Sequence, residues 1–386
     1  MKKLTTALAA AVLATGISGA ARADTQGVSD GEIVIGSVND LSGIFAAVGV
    51  PAVNGANLRF DEVNAAGGVH GRTIRFVVED NGYQIPRAMQ GYNKLLNRDK
   101  VFAMLLSLGT PMNLAGFKLL DPKGIPNIGP LTAARDMLKE PMHNKFVGFS
   151  SYWDQVQEGV KYLAAEKGAK KICSMYLPTD FGKEIGDSTK DIVGTLGLTF
   201  AGETTHKPDE LDFVGSLTKL KAAECDVITL ALGVRQAITV VGTAKKLGWN
   251  DVMFLNTSAG FLAVVAAVPG GVTEGLYAAA GWVDLQSRAD DPVVAKFMAA
   301  YKDRFDQDAG GFSMLGYSAA DTVIRALEAA GPELTQESFI NGMETLDYHD
   351  ALADAKITYG PEDHQGADEV VISVVEGGKW KVLSRQ

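Results

Sequence analysis

The sequence predicts an α/β protein of two doubly wound lobes, and three observations carry that expectation. Residues 32–82 run as a short apolar segment, a loop, an amphipathic segment and a second apolar segment, the pattern of a right-handed βαβ crossover. The same alternation recurs along most of the chain. Its 386 residues, 46% of them hydrophobic, suffice to fill two cores.

Taken in order, residues 33–38 form a short apolar run, which suits a parallel strand covered on both faces. Pro51 sets φ for a first helical turn. Val53, Ala56, Phe60 and Val63 follow at helical spacing, and Gly67-Gly68 supplies the positive φ that ends a helix. Residues 74–78 give the next strand. Ligands of such open sheets sit beyond the carboxyl ends of the strands, so the loop 39–50 is the first place to look for a site. Ala88, Met89, Tyr92, Leu95 and Leu96 mark a helix, residues 101–106 a strand, and Leu114, Phe117 and Leu120 another helix. A strand at 146–149 completes the first doubly wound unit.

The second series opens with a helix over 152–166, a strand at 171–177, and a helix from Asp180-Phe-Gly to about 194–197. A strand at 199–204, a helix at 211–223 and a strand at 226–232 follow, then a helix from Gly233-Val-Arg-Gln to Gly248. A strand at 252–256, a helix at 257–268 and a strand at 275–282 close the series. The tail departs from this rhythm. Residues 292–305, 313–330 and 336–346 read as amphipathic helices, and 370–375 with 379–383 as a hairpin turning through Glu376-Gly-Gly. Helices that follow a completed sheet need a surface to cover. The economical arrangement returns the chain to the first lobe, then back to the second.

Residues 1–23 have the layout of a secretion signal: Lys2 and Lys3, an apolar stretch from 4 to 17, and Ala21-Arg22-Ala23 before the cut. No cysteine stands near that point and no later apolar run has the length of a membrane span, so an exported, periplasmic product is expected without a lipid anchor. The formal charge is -10, and loss of Lys2, Lys3 and Arg22 leaves the chain more acidic still. Such a chain has no electrostatic reason to bind nucleic acid or an anionic membrane. Cys173 and Cys225 sit in or beside apolar runs and read as small buried residues, with a bridge left open by the oxidising compartment. The histidines at 70, 143, 206, 349 and 364 are scattered without metal-ligand spacing, and no nucleophile elbow, phosphate loop or dinucleotide fingerprint follows the first strand. Catalysis, a cofactor and a metal are therefore not expected.

Leu41-Ser-Gly, Asn54-Gly-Ala, Val63-Asn-Ala-Ala-Gly-Gly-Val-His-Gly-Arg, Glu79-Asp-Asn, Asp180-Phe-Gly and Glu376-Gly-Gly-Lys-Trp are each weak alone, but their order and spacing are specific. By them the chain resembles the type I periplasmic binding proteins, the leucine/isoleucine/valine-binding protein family of ABC importers, over nearly all of its length. The resemblance implies two Rossmann-like lobes joined by three crossover strands, with a small-molecule ligand bound in the cleft, hinge closure over it, and a membrane permease as partner. Lobe one then holds 24–149 plus 284–345 and lobe two 150–283 plus 346–386, with crossings at 146–151, 277–283 and 346–352.

The resemblance also implies site residues. One lobe of the family holds the ligand carboxylate through hydroxyls and backbone N–H groups on two loops; the matching positions are Leu108, Gly109 and Thr110, and Thr132, Ala133 and Ala134, with Ser107 competing on the first loop. Threonines there also suit plain helix caps. Ser42 caps or touches ligand, and Val48 meets its apolar part. Tyr152 and Phe181 cover the cleft from the second lobe, or else pack in its core. Gly233 precedes Arg235 on a neighbouring loop, where the guanidinium either meets the ligand or sits solvated at a helix start. Ser258 falls in Asn-Thr-Ser-Ala-Gly, where the family's amino-acid binders carry an acid to pair the ligand ammonium. No acid stands there; Asp251 and Asp284 are the acids that a shifted alignment brings to it. The missing acid implies an apolar or aromatic carboxylate without an α-ammonium. Branched-chain or aromatic amino acids are the alternative in the same transport role, and a soluble ligand sensor is the second alternative.

Overall fold

The computed structural model describes residues 25–386, so the secretion signal expected at 1–23 lies outside the described residues. The first part of the chain forms β1 (Glu32–Asn39), α1 (Ala46–Ala65), β2 (Thr73–Asp80), α2 (Ile85–Lys94), β3 (Ala103–Leu105), α3 (Thr110–Leu120), β4 (Asn127–Ile128) and β5 (Lys145–Phe146). These strands make one sheet in the order β2-β1-β3-β4-β5, every pair parallel. Because β1 has β2 on one side and β3 on the other, the loops leaving β1 and β3 diverge and open a crevice.

The second series forms α4 (Tyr152–Lys167), β6 (Lys171–Tyr176), α5 (Asp180–Thr195), β7 (Thr199–Thr205), α6 (Val214–Ala222), β8 (Val227–Ala231), α7 (Val234–Lys246), β9 (Met253–Asn256), α8 (Ala263–Ala266) and β10 (Tyr277–Ala280). Three helices follow: α9 (Pro292–Phe305), α10 (Gly311–Ala330) and α11 (Gln336–Glu344). Then come the pair β11 (Asp347–Asp350) and β12 (Ala355–Thr358), and the hairpin β13 (Val371–Glu376) and β14 (Lys379–Arg385). The second sheet runs β14-β13-β10-β9-β8-β6-β7, parallel except for β13 and β14. Its crevice opens between β6 and β8 by the same logic. Gly377 and Gly378, both at positive φ, make the two-residue turn of the final hairpin.

The tail helices do return to the first sheet. α10 lies against α1 so closely that a Cβ on Gly55 would stand 1.9 Å from the Ser313 carbonyl, and one on Gly316 would stand 1.9 Å from that of Ala52. Only glycine permits this approach.

Several expectations need correction. α1 begins at Ala46 with Pro51 inside it, because Asp40 ties the preceding loop: its carboxylate accepts the N–H of Gly43 at 2.6 Å and of Phe45 at 2.9 Å. The loop expected over 39–50 therefore ends at 45. The expected helix at 257–268 is a 3-10 turn at Ser258–Gly260 and the four-residue α8. Pro269 holds Val268 extended and so ends the helix, while the Leu262 carbonyl at its start accepts both Ala266 N–H and Trp380 Nε1–H, the latter at 2.9 Å. The expected strand over 101–106 shortens to three residues, with Leu106 at positive φ.

The third passage between sheets also moves. The stretch 346–352 forms β11 and the turn after it, held to the first-sheet side by Thr322 Oγ1 and Tyr348 Oη at 2.7 Å. The chain passes over at 359–370 instead, where Gln365 bridges Val147 and Tyr359 Oη donates to the Val147 carbonyl at 3.0 Å. Cys173 and Cys225 are buried as expected, and they are also bridged. Pairing of β6 with β8 sets their Cα atoms 5.9 Å apart, within disulfide reach.

Candidate functional site

Loops leaving the two sheets converge on one small cavity. From the first-sheet side come Phe45 and Val48 after β1, Tyr83 after β2, Leu108, Gly109 and Thr110 after β3, and Leu131 and Thr132 after β4. Phe149, Tyr152, Phe181, Ser258 and Ala259 face them, and Phe312 enters from α10.

The polar end is the threonine pair. Thr110 opens α3 and Thr132 lies on the next loop; both are buried, with Oγ1 atoms 2.6 Å apart. Gly109 at positive φ turns the chain into α3, whose first N–H groups have no intrahelical partner. Hydroxyls beside a helix N-terminus suit an anion. The Tyr152 phenol adjoins the same loop: burial raises it to about 12, partly offset by the Ala133 backbone and the Thr132 side chain.

The rest of the lining is aromatic or aliphatic. Phe45 stacks on Tyr83 with centroids 4.7 Å apart and meets Phe181 edge-on at 5.8 Å, so the two sides touch across the cleft. Tyr152 packs on Phe181 at 5.3 Å. At the rim Arg135 Nε stands 3.2 Å from Glu184 Oε1 of α5, while its guanidinium covers the Trp153 ring at 3.5 Å. Burial raises the Glu184 carboxyl, against the opposing pull of Arg135.

Eight of the sequence-predicted residues come together here: Val48, Leu108, Gly109, Thr110, Thr132, Tyr152, Phe181 and Ser258. The others lie behind or beside the lining. Ser42 Oγ donates to Asp80 at 2.7 Å. That bond, the Leu41 and Gly82 N–H groups and Arg87 outweigh the upward effect of desolvation and hold Asp80 down at about 2. Ser107 Oγ accepts Val38 N–H at 3.4 Å, inside the sheet. Ala133 gives its carbonyl to Tyr152 N–H at 2.7 Å, and Ala134 N–H donates to Thr132 Oγ1 at 3.4 Å, so both orient lining residues. Gly233 abuts Ile44, and Arg235 is exposed on the first turn of α7. Arg235 does not line the cavity; it is the exposed residue of an otherwise buried helix start formed by Gly233, Val234 and Gln236.

Phe45, Tyr83, Leu131, Phe149, Ala259 and Phe312 were not anticipated. Phe45 and Tyr83 follow the ends of strands and were open to discovery on that rule; Phe312 reaches the site only through the packing of α10 on α1. Among the described residues, no charged side chain lines the cavity. Asp251 is exposed, and Asp284 lines a different cleft, buried, with its carboxyl raised to about 6 by desolvation against the N–H groups of Gln286 and Ser287.

Comparison with known proteins agrees with this architecture. A family model described as periplasmic binding protein matches residues 32–379. The Leu/Ile/Val-binding protein BraC3 of Rhizobium johnstonii is 22% identical over 355 residues, 90% of this chain and 93% of that protein. An amino acid binding protein of Pseudomonas aeruginosa is 24% identical over 217 residues, and there the chain spans 58% of the relative. Among solved structures, a fatty acid ABC transporter substrate-binding protein from Thermomonospora curvata superposes with a TM-score of 0.85 at 26% identity, covering 94% of each chain.

Proposed function

The chain belongs to the periplasmic binding proteins, of the leucine/isoleucine/valine-binding type, and from that premise we propose that it is the substrate-binding component of an ABC importer. It takes a small apolar or aromatic carboxylate between its lobes and delivers it, unchanged, to a membrane permease. Residues 1–23 are removed on export to the periplasm. Lobe one comprises 24–149 with 284–358, and lobe two 150–283 with 359–386, the later boundary following the path of the third crossing.

One observation carries the choice of ligand. The cavity offers a hydroxyl pair beside a helix start and aromatic walls, and no acid among its lining residues. A buried ammonium needs a charged partner, whereas a carboxylate is served by hydroxyls and N–H groups. The relatives' names divide between Leu/Ile/Val and fatty acid, and the acid-free lining sides with the second. Closure follows because the ligand touches both sides. Only contacts made in the closed form shift the equilibrium toward it, and Phe45 and Phe181 supply such contacts from opposite lobes.

The test is a thermal-shift series on protein stripped of ligand, with benzoate and branched short-chain acids set against leucine, valine and phenylalanine. A ligand at a hundred times its Kd adds about 2.7 kcal/mol. The acids should raise Tm and the amino acids should not. A shift with leucine alone would return the chain to the amino-acid binders.

A further inference from the structure

A second cavity lies behind the first and has two lining residues in common with it, Leu131 and Phe149. Its walls come from the ends of β3 and β4, one face of α10 and the β11–β12 hairpin, and they are mainly apolar: Leu106, Ile128, Leu315, Ala319 and Ile357 among them. The hairpin is fastened over it by the Thr322–Tyr348 hydroxyl pair and by Arg288 Nη1 donating to the Leu352 carbonyl at 2.8 Å. The cavity is thus built into the fold between fixed elements.

Phe149 and Leu131 form the partition between the two cavities, and Phe149 is its aromatic part. It is half-buried, sits on the first crossing between lobes, and meets Trp282 edge-on with centroids 5.0 Å apart. We infer that the ligand is an elongated carboxylic acid, its carboxylate at Thr110 and Thr132 and its apolar tail passing Phe149 into the second cavity. This rests on the carboxylate reading of the first cavity. It adds that the preferred acids are long alkyl or arylalkyl ones, because a tail that crosses the partition buries apolar surface in both cavities.

Calorimetric titration with straight-chain acids from butanoate to decanoate, and with benzoate, tests it. Affinity should climb along the series, by roughly fourfold for each methylene buried in the second cavity. Ala319→Phe fills that cavity without touching the first, and should weaken decanoate at least tenfold while leaving benzoate unchanged. Ala353→Leu on the opposite wall should do the same, and unfolding curves of both variants without ligand establish that they fold. A flat affinity series overturns the inference, as does equal weakening of benzoate and decanoate. If no acid of any length binds, the carboxylate reading itself falls.

Discussion

Thr110 and Thr132, 22 residues apart in sequence, pair their hydroxyls at 2.6 Å because β3 and β4 are adjacent parallel strands and each threonine lies just beyond its strand. One hydroxyl proton is consumed within the pair and the other remains to be donated outward. The two side chains therefore act as one unit.

That unit should govern carboxylate affinity. A hydrogen bond to a charged group contributes about 1.5–3 kcal/mol, so Thr110→Val or Thr132→Val should weaken an acid ligand by tenfold or more, and the double variant by less than the product. Calorimetry with benzoate measures the effect, with the neutral amide as control. Unchanged benzoate affinity in both single variants would reduce the pair to a structural role.

Asp284 makes stability depend on pH. Its carboxyl is raised from 3.8 to about 6 in the folded chain, first by desolvation. Between these values the folded protein keeps a proton that the unfolded chain has released. The contribution is therefore complete below the unfolded value and is lost as pH rises through about 6, on the order of 3 kcal/mol in all. Asp284→Asn should thus gain on the native protein in urea unfolding as pH goes from 4 to 7. Parallel stability curves for the two proteins would rule this out.

The Cys173–Cys225 bridge closes a loop with a sequence separation of 52. Loops of that size stabilise by roughly 2–4 kcal/mol on chain-entropy grounds. The double alanine variant should lose about that much in denaturant unfolding. Its ligand affinity should stay the same, since the bridge lies away from the strand ends that carry the cleft.

The two-lobe plan was legible because buried parallel strands leave short apolar runs, as at residues 33–38, and because glycine pairs mark the turns. Site residues on loops directly after strands, such as Thr110 and Ser258, were legible for the same reason. What failed was set by distant partners. The apolar run from Phe261 to Val268 has the composition of a helix, yet only Ala263–Ala266 is helical, and its start is tied to Trp380 of the last hairpin through the Leu262 carbonyl. β11 and β12 carry charged residues in place of an apolar alternation, and Tyr348 is fixed by Thr322 on another element.

The contact of Gly55 with Ser313 and of Gly316 with Ala52 sets an order of events. The first sheet is made early in synthesis, but the helix that covers α1 is made near the end. Until residue 316 has emerged, the earliest part of the protein stays unfinished. The α1–α10 contact thus joins residues about 260 positions apart, roughly the sequence span over which the first lobe's core is assembled.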